Sequence, residues 1–213
     1  MKRNVIAILL LLISVSSTAQ TINDCASEYV LAYRQAQKLK FEKKITEDDA
    51  DKQLANASVL LDSCIIGKEV NDFELTGLSG DEYSKNAIRG KVVLFNFWSS
   101  SCGACIAEIP LLNRISDDYK DKDFVLISIL MDGKDDYLRM LERGIVKRKV
   151  YFDVIPDSKN FIKNEFGFAN LAIPTNLFVD KEGRVYSRVV GASDTKEYES
   201  FLRDLIDSKL AER

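Results

Sequence analysis

Cys102 and Cys105 stand two residues apart in Cys102-Gly103-Ala104-Cys105. They follow the apolar run Val92-Val93-Leu94-Phe95-Asn96-Phe97-Trp98 and open a segment with helical periodicity. A strand that feeds straight into a helix places the first thiol at the helix N-terminus. Free N–H groups and about half a positive charge gather there, and both favour a thiolate. The pKa of Cys102 is therefore expected to fall and its nucleophilicity near neutral pH to rise. Cys105 lies one turn further in, on the same face and shielded. The pair suits thiol–disulfide exchange, in which Cys102 attacks a foreign disulfide and Cys105 resolves the mixed disulfide. Two plainer roles compete. A structural zinc site wants four ligands, yet the chain has no histidine, and Cys25 and Cys64 lie well upstream. A purely structural disulfide over so short a loop is strained and reactive. No metal is expected.

The histidine count of zero also removes every imidazole base, and with it Ser-His-Asp and Cys-His catalysis. Resolution requires an acceptor for the Cys105 proton. Glu108, three residues after Cys105 and six after Cys102, is the nearest candidate by helical spacing. The amide of Asn96 cannot exchange a proton in its place. The plainer reading of Glu108 is a solvated helix carboxylate. Lys+Arg of 30 against Asp+Glu of 33 gives a net charge of −3, and so mild a balance offers no reason to expect nucleic acid. A length of 213 with 46% hydrophobic and 30% charged residues fits one packed core plus an appendage and excludes a disordered or collagen-like chain. The turn from Gly77 to Gly80 is not a dinucleotide fingerprint, so no cofactor is expected.

The elements that hold these residues begin after a targeting segment. Lys2 and Arg3 precede an unbroken apolar run from Val5 to Ile13, and Ser17-Thr18-Ala19 is a small-x-small cleavage site. Residues 1–19 thus read as a secretory signal peptide, and the mature protein as one that works where disulfides persist. Association with a membrane is expected only if this segment stays uncleaved. Residues 20–66 carry no proline and read as a helical hairpin. Asp24 is placed to cap a first helix to about residue 43, with Tyr29, Val30, Tyr33, Ala36 and Leu39 on its inner side. Thr46-Glu47-Asp48-Asp49 opens a second helix, with Leu54, Ala57, Val59, Leu60 and Leu61 inward. The sequon Asn56-Ala57-Ser58 is read as ordinary helix surface. Cys25 begins the first helix and Cys64 ends the second, so the hairpin brings them together as a structural disulfide. Its chain-entropy contribution is about 4 kcal/mol. A relay of electrons to Cys102 is the alternative use of this pair.

From Gly67 the texture changes to strands alternating with helices. Asp72-Phe73-Glu74-Leu75 and the following glycine-rich turn predict an edge hairpin. Strands are predicted at 91–97, 124–130, 150–154, 177–180 and 185–190, and helices at 102–119, 135–143, 157–166 and 196–210. Continuously apolar strands imply a central sheet covered on both faces. The late hairpin around Lys181-Glu182-Gly183 adds antiparallel strands, so the α/β sheet is expected to be mixed. Pro110 falls inside a predicted helix and should kink it.

Gly90-Lys91-Val92-Val93-Leu94-Phe95-Asn96-Phe97-Trp98 with its following Cys-x-x-Cys resembles the thioredoxin fold, and Ala172-Ile173-Pro174-Thr175-Asn176-Leu177-Phe178-Val179 resembles that fold's cis-proline loop. Asn96 in the central strand, Glu108-Ile109-Pro110 after the second cysteine, and Phe73-Glu74-Leu75 with Gly80 make the chain similar to the exported TlpA/ResA-type thiol–disulfide oxidoreductases. The resemblance covers about residues 67–210, within a thioredoxin-like domain at 67–213, and leaves the hairpin outside it. It implies an attacking Cys102, a resolving Cys105, a cis Pro174 that presents the Ile173 backbone to an extended substrate, and Trp98 packed beside the disulfide. It also implies a partly buried Glu108 with a raised pKa, suited to a general base.

Gly103-Ala104 departs from the family's more usual dipeptide ending in proline. With no histidine between the cysteines, a potential towards the reducing end is expected, roughly −200 to −270 mV. A reductase of client protein disulfides in the bacterial periplasm, fed by a separate electron-donor protein, is the leading expectation. Two others are carried beside it. A peroxide-reducing relative would show Pro and Thr where this chain has Phe95 and Ser99. A client-binding scaffold would keep the cysteines without turnover.

Overall fold

The computed structural model describes residues 21–144, 150–156, 161 and 172–212. Helix α1 spans Ile22–Phe41 and α2 spans Glu47–Ile65. The cap of α1 is Thr21, not Asp24: the Thr21 hydroxyl accepts the Asp24 N–H, and the Asp24 carboxylate accepts the Thr21 N–H. Asp24 therefore sits at the third helical position of a capping box, which satisfies two otherwise orphaned donors. Thr46 and Asp49 repeat the arrangement at α2. The two helices form an antiparallel hairpin closed by a Cys25–Cys64 disulfide.

Strands β1 (Glu74–Thr76) and β2 (Glu82–Ser84) pair antiparallel as a separate small sheet. The main sheet contains β3 (Val92–Trp98), β4 (Phe124–Leu130), β5 (Val154–Ile155), β6 (Thr175–Val179) and β7 (Val185–Val190), in the order β5-β4-β3-β6-β7. β3, β4 and β5 run parallel; β6 is antiparallel to β3, and β7 to β6. Helices α3 (Gly103–Asp118), α4 (Lys134–Glu142) and α5 (Lys196–Leu210) complete the described elements. The mixed α/β sheet flanked by helices is the architecture expected, and α5 has the expected bounds.

Two strand boundaries differ by more than one residue. The strand expected at 150–154 reduces to Val154–Ile155, because the Tyr151 N–H goes to the Asn113 side chain instead of a ladder. The Asp153 carboxylate meanwhile accepts from Ser79 N, Tyr83 Oη and Val154 N. β6 begins at Thr175, not Leu177, because two buried polar residues continue the strand: Thr175 pairs with Phe97 and Asn176 with Asn96. The helix expected at 157–166 lies outside the described residues apart from Phe161.

Alternation along β3 divides the core. Val93, Phe95 and Phe97 join an apolar cluster with Ile22, Leu61 and Ile65 of the hairpin. Val92, Leu94 and Trp98 join another with Ile109, Leu112 and Ile115 of α3 and Leu202 and Ile206 of α5. Each large side chain so buried contributes about 1.5–3 kcal/mol. The hairpin is also held by Arg188 of β7, whose side chain is 2% exposed: its Nε donates to Asp62 Oδ1 at 2.5 Å and its Nη2 to Ser58 Oγ at 2.6 Å. No helix among the described residues is long and apolar enough to cross a membrane.

Candidate active site

β3 ends at Trp98 and α3 begins at Gly103, so the loop between them delivers Cys102 to the N-cap of the helix. Cys102 and Cys105 form a disulfide, and Cys102 Sγ accepts the Cys105 N–H at 3.2 Å. This is the contact that favours a thiolate on Cys102 once the bond is reduced, since a helix N-terminus directs its free N–H groups at that atom. Cys105 is 2% exposed, while Cys102 is half-buried and Gly103 and Ala104 are exposed. One sulfur is thus open to an incoming chain and the other is covered.

The loop before Cys102 is tied to the end of β4. Asp132 accepts from Ser100 N at 2.6 Å, from Ser100 Oγ at 2.9 Å and from Ser99 Oγ at 3.2 Å. Trp98 Nε1 donates to Ser128 Oγ at 2.8 Å, its ring meets Tyr137 edge-on at 5.8 Å, and it shares an apolar cluster with both active-site cysteines. On the other side the Ile173–Pro174 bond is cis, and the Ile173 carbonyl oxygen lies 3.9 Å from Cys102 Sγ. The Cys-x-x-Cys, Trp98 and the Ile173–Pro174 segment therefore converge at one end of the sheet.

Glu108 is buried, at 1% exposure, one helical turn beyond Cys105. Oε1 accepts from Asn176 Nδ2 at 2.6 Å and from Tyr198 Oη at 2.9 Å, while Oε2 lies 3.4 Å from Asn96 Nδ2. Asn96 Nδ2 also donates to Asn176 Oδ1 at 2.9 Å. Burial pushes the Glu108 carboxyl up to about 7, and the bonds from Asn176, Tyr198 and Asn96 limit the rise. Desolvation and the adjacent Glu108 carboxylate hold the Tyr198 phenol well above its ordinary range. The result is a buried acid that changes charge near neutral pH, one helical turn beyond Cys105.

Sequence reasoning placed Glu108 here but missed three of the residues that surround the centre. Asn176 follows the proline loop on the strand Thr175–Val179, where a polar residue gives no sign of the partner it will meet. Tyr198 falls at an apolar position of the last helix, where periodicity accounts for its ring and hides the use of its hydroxyl. Asp132 follows a parallel strand at its C-terminal end, where sites in α/β sheets collect, and that position was the available signal. Cys25 and Cys64, also singled out, lie in the hairpin, whose base joins the cluster on the opposite face of the sheet from α3.

Where the disulfide stands, at the C-terminal end of the central strand and facing a cis-proline loop, sets the class: this is a thioredoxin-like thiol–disulfide oxidoreductase. A model of the AhpC/TSA family matches residues 66–188, and the chain belongs to that family. The thiol-disulfide oxidoreductase ResA of Bacillus anthracis is 29% identical over 140 residues, which cover 66% of this chain and 78% of that protein. A Chlorobium tepidum structure described as a thiol:disulfide interchange protein DsbE is 26% identical with a TM-score of 0.57, over 68% of this chain and 98% of that one. A Bacteroides thetaiotaomicron structure described as a protein disulfide isomerase is 26% identical with a TM-score of 0.56, over 69% and 91% of the two chains.

Proposed function

We propose that the protein is an exported oxidoreductase that reduces the disulfides of client proteins through the Cys102/Cys105 dithiol. The observation that carries this reading is the Cys102 sulfur at the α3 N-cap, accepting the Cys105 N–H and half-open beside the Ile173 carbonyl. In the reduced enzyme the Cys102 thiolate attacks one sulfur of a client disulfide and expels the other as a thiolate. Cys105 then gives its proton to Glu108 and attacks Cys102 Sγ. The second client sulfur leaves, and the Cys102–Cys105 disulfide re-forms. Two electrons pass to the client, and a separate donor protein must return them. Gly103, Ala104 and the half-buried Ile173 form the surface against which an extended client segment lies; Trp98 and Pro174, both expected to touch the client, are buried and back that surface from beneath.

The reducing direction rests on Gly103-Ala104 and the lack of a histidine between the cysteines to stabilise a thiolate further. Export, with a bacterial periplasm as destination, rests on the signal-peptide pattern of residues 1–19 and on a second disulfide of the kind that persists in oxidising compartments. On this reading the mature chain is a helical hairpin at 20–66 followed by a thioredoxin-like domain at 67–213. Phe95 is fully buried in β3 and the Ser99 hydroxyl is engaged with Ser101 and Asp132, an arrangement that lends no support to peroxide chemistry. Reduction of insulin by the dithiol-regenerated protein is the test. Turnover that depends on Cys102 supports the enzyme; client capture without turnover would replace it with a scaffold.

A further inference from the structure

Tyr198 stands on α5, remote in sequence from Cys102, yet its hydroxyl lies between two acceptors. Glu108 Oε1 is 2.9 Å away and the Gly191 carbonyl oxygen 3.0 Å away. A phenol has one proton to donate, so at any moment one acceptor is served fully. Asn176 Nδ2, at 3.3 Å, donates to the phenol oxygen itself and leaves that proton its choice. The charge on Glu108 decides the choice. An ionised carboxylate is a stronger acceptor than a peptide carbonyl and takes the phenol proton. A protonated Glu108 has a proton of its own to offer the phenol oxygen, and the phenol proton turns to Gly191. The two states differ by the one proton that Glu108 gains; the phenol keeps its own proton, and only its hydroxyl swings.

Gly191 leads back to the centre. Its N–H donates to the Pro174 carbonyl at 2.8 Å, and the Ile173 carbonyl, one residue earlier, is the group 3.9 Å from Cys102 Sγ. We propose that Tyr198 is a positioning residue that couples the protonation of Glu108 to the backbone at Gly191, and through it to the Ile173–Pro174 loop beside Cys102. The inference rests on the exchange reading given above and adds a regulator to that site. The loop is gripped more firmly when Glu108 is protonated, which is the state reached when Cys105 has surrendered its proton.

The groups that face the carboxyl are few. α5 presents Tyr198, β3 presents the amide of Asn96 and β6 presents the amide of Asn176, while α3, which bears Glu108, also carries Cys105 and has Cys102 at its N-cap. In the oxidised protein the cysteines do not titrate, and Tyr198 keeps its proton through neutral pH. Glu108 alone then changes charge within the network.

The test is a pH titration of the oxidised full chain, carrying 13C at Glu carboxyl and Gly carbonyl carbons, followed by NMR from about pH 5 to 9. In the wild type the Gly191 carbonyl shift should follow the Glu108 midpoint. In Tyr198→Phe, which loses one donor to the carboxylate, the Glu108 midpoint should rise by about one pH unit, a tenfold gain in proton affinity. The Gly191 carbonyl should then stop titrating. In Glu108→Gln, with Tyr198 intact, the Gly191 signal should stay flat, and this arm decides the matter even if Tyr198→Phe does not fold. A Gly191 titration that persists in either variant, or an unmoved Glu108 midpoint in Tyr198→Phe, overturns the coupling. None of these readings uses turnover, so a protein that titrates as described but does not reduce insulin would sink the exchange reading and leave the coupling standing.

Discussion

The two disulfides are the same bond in different helical settings: one lies wholly at the start of α3, and the other joins the first turn of α1 to the last turn of α2. Cys102 caps the N-terminus of α3, and its sulfur accepts a backbone N–H. Cys64 lies in the last turn of α2, where unsatisfied carbonyls gather and disfavour a thiolate. Each pair has one sulfur-bearing residue at 2% exposure, Cys105 and Cys25, and one half-buried partner. Access alone therefore does not separate them. The C-terminal setting of Cys64 and the loop length do: the pairs are 3 and 39 residues apart in sequence. A long closed loop removes more freedom from the unfolded chain, so that bond serves stability. The short one exists to be exchanged.

The comparison is broken most decisively at the cysteines. Cys102→Ser should abolish insulin reduction, and Cys105→Ser should accumulate a mixed disulfide on Cys102, visible as a reductant-sensitive band. A Cys25→Ser/Cys64→Ser double variant should keep its turnover yet lose about 4 kcal/mol of stability on the chain-entropy estimate, read by urea unfolding. Loss of turnover in that double variant at a temperature where it stays folded would favour an electron relay between the pairs.

Glu108 offers a pH test on the active-site side. Its folded pKa, about 7, lies above the ordinary 4.5, so between these values the folded state holds a proton that the unfolded state has released. Stability from this group is full below the unfolded pKa and falls as pH rises towards 7, by about 3 kcal/mol in order of magnitude. Urea midpoints of the oxidised protein should decline over that window and lose the decline in Glu108→Gln. On the hairpin side, Asp62→Ala leaves the buried Arg188 guanidinium without its carboxylate and should cost about 2 kcal/mol, without changing the rate of insulin reduction. The smallest effect expected is optical. Trp98 shares the apolar cluster of Cys102 and Cys105, and a disulfide quenches a nearby indole. Emission should rise on reduction and stay flat in Cys102→Ser.

The same two regions differ in how openly the sequence declares them. The Cys-x-x-Cys after a buried strand announced both the fold and the reactive sulfurs, because strand, loop and helix are contiguous there. The hairpin and its cysteines were legible from periodicity and from the Thr46 cap, although Val59 and Leu60, expected inward, are 64% and 69% exposed, and the Thr21 cap was displaced onto Asp24, a residue that belongs to the same capping box. What could not be read is what long-range packing supplies. The Asn96–Asn176 pairing needs the antiparallel register of β3 with β6, and Tyr198 meets Glu108 only after α5 folds over the sheet. Arg188 gave no sign that it would be buried against Asp62 and Ser58, since an arginine in an alternating strand ordinarily faces water.

The division of labour between the two disulfides is tested most directly by equilibrating the protein across a series of glutathione redox buffers, quenching with acid, and locating alkylated cysteines by mass spectrometry. Cys102 and Cys105 should become labelled together, over a range of buffers in which Cys25 and Cys64 remain fully protected. Labelling of Cys25 and Cys64 at the same or a more oxidising poise would contradict the account, because the bond assigned to stability would then be the one that exchanges.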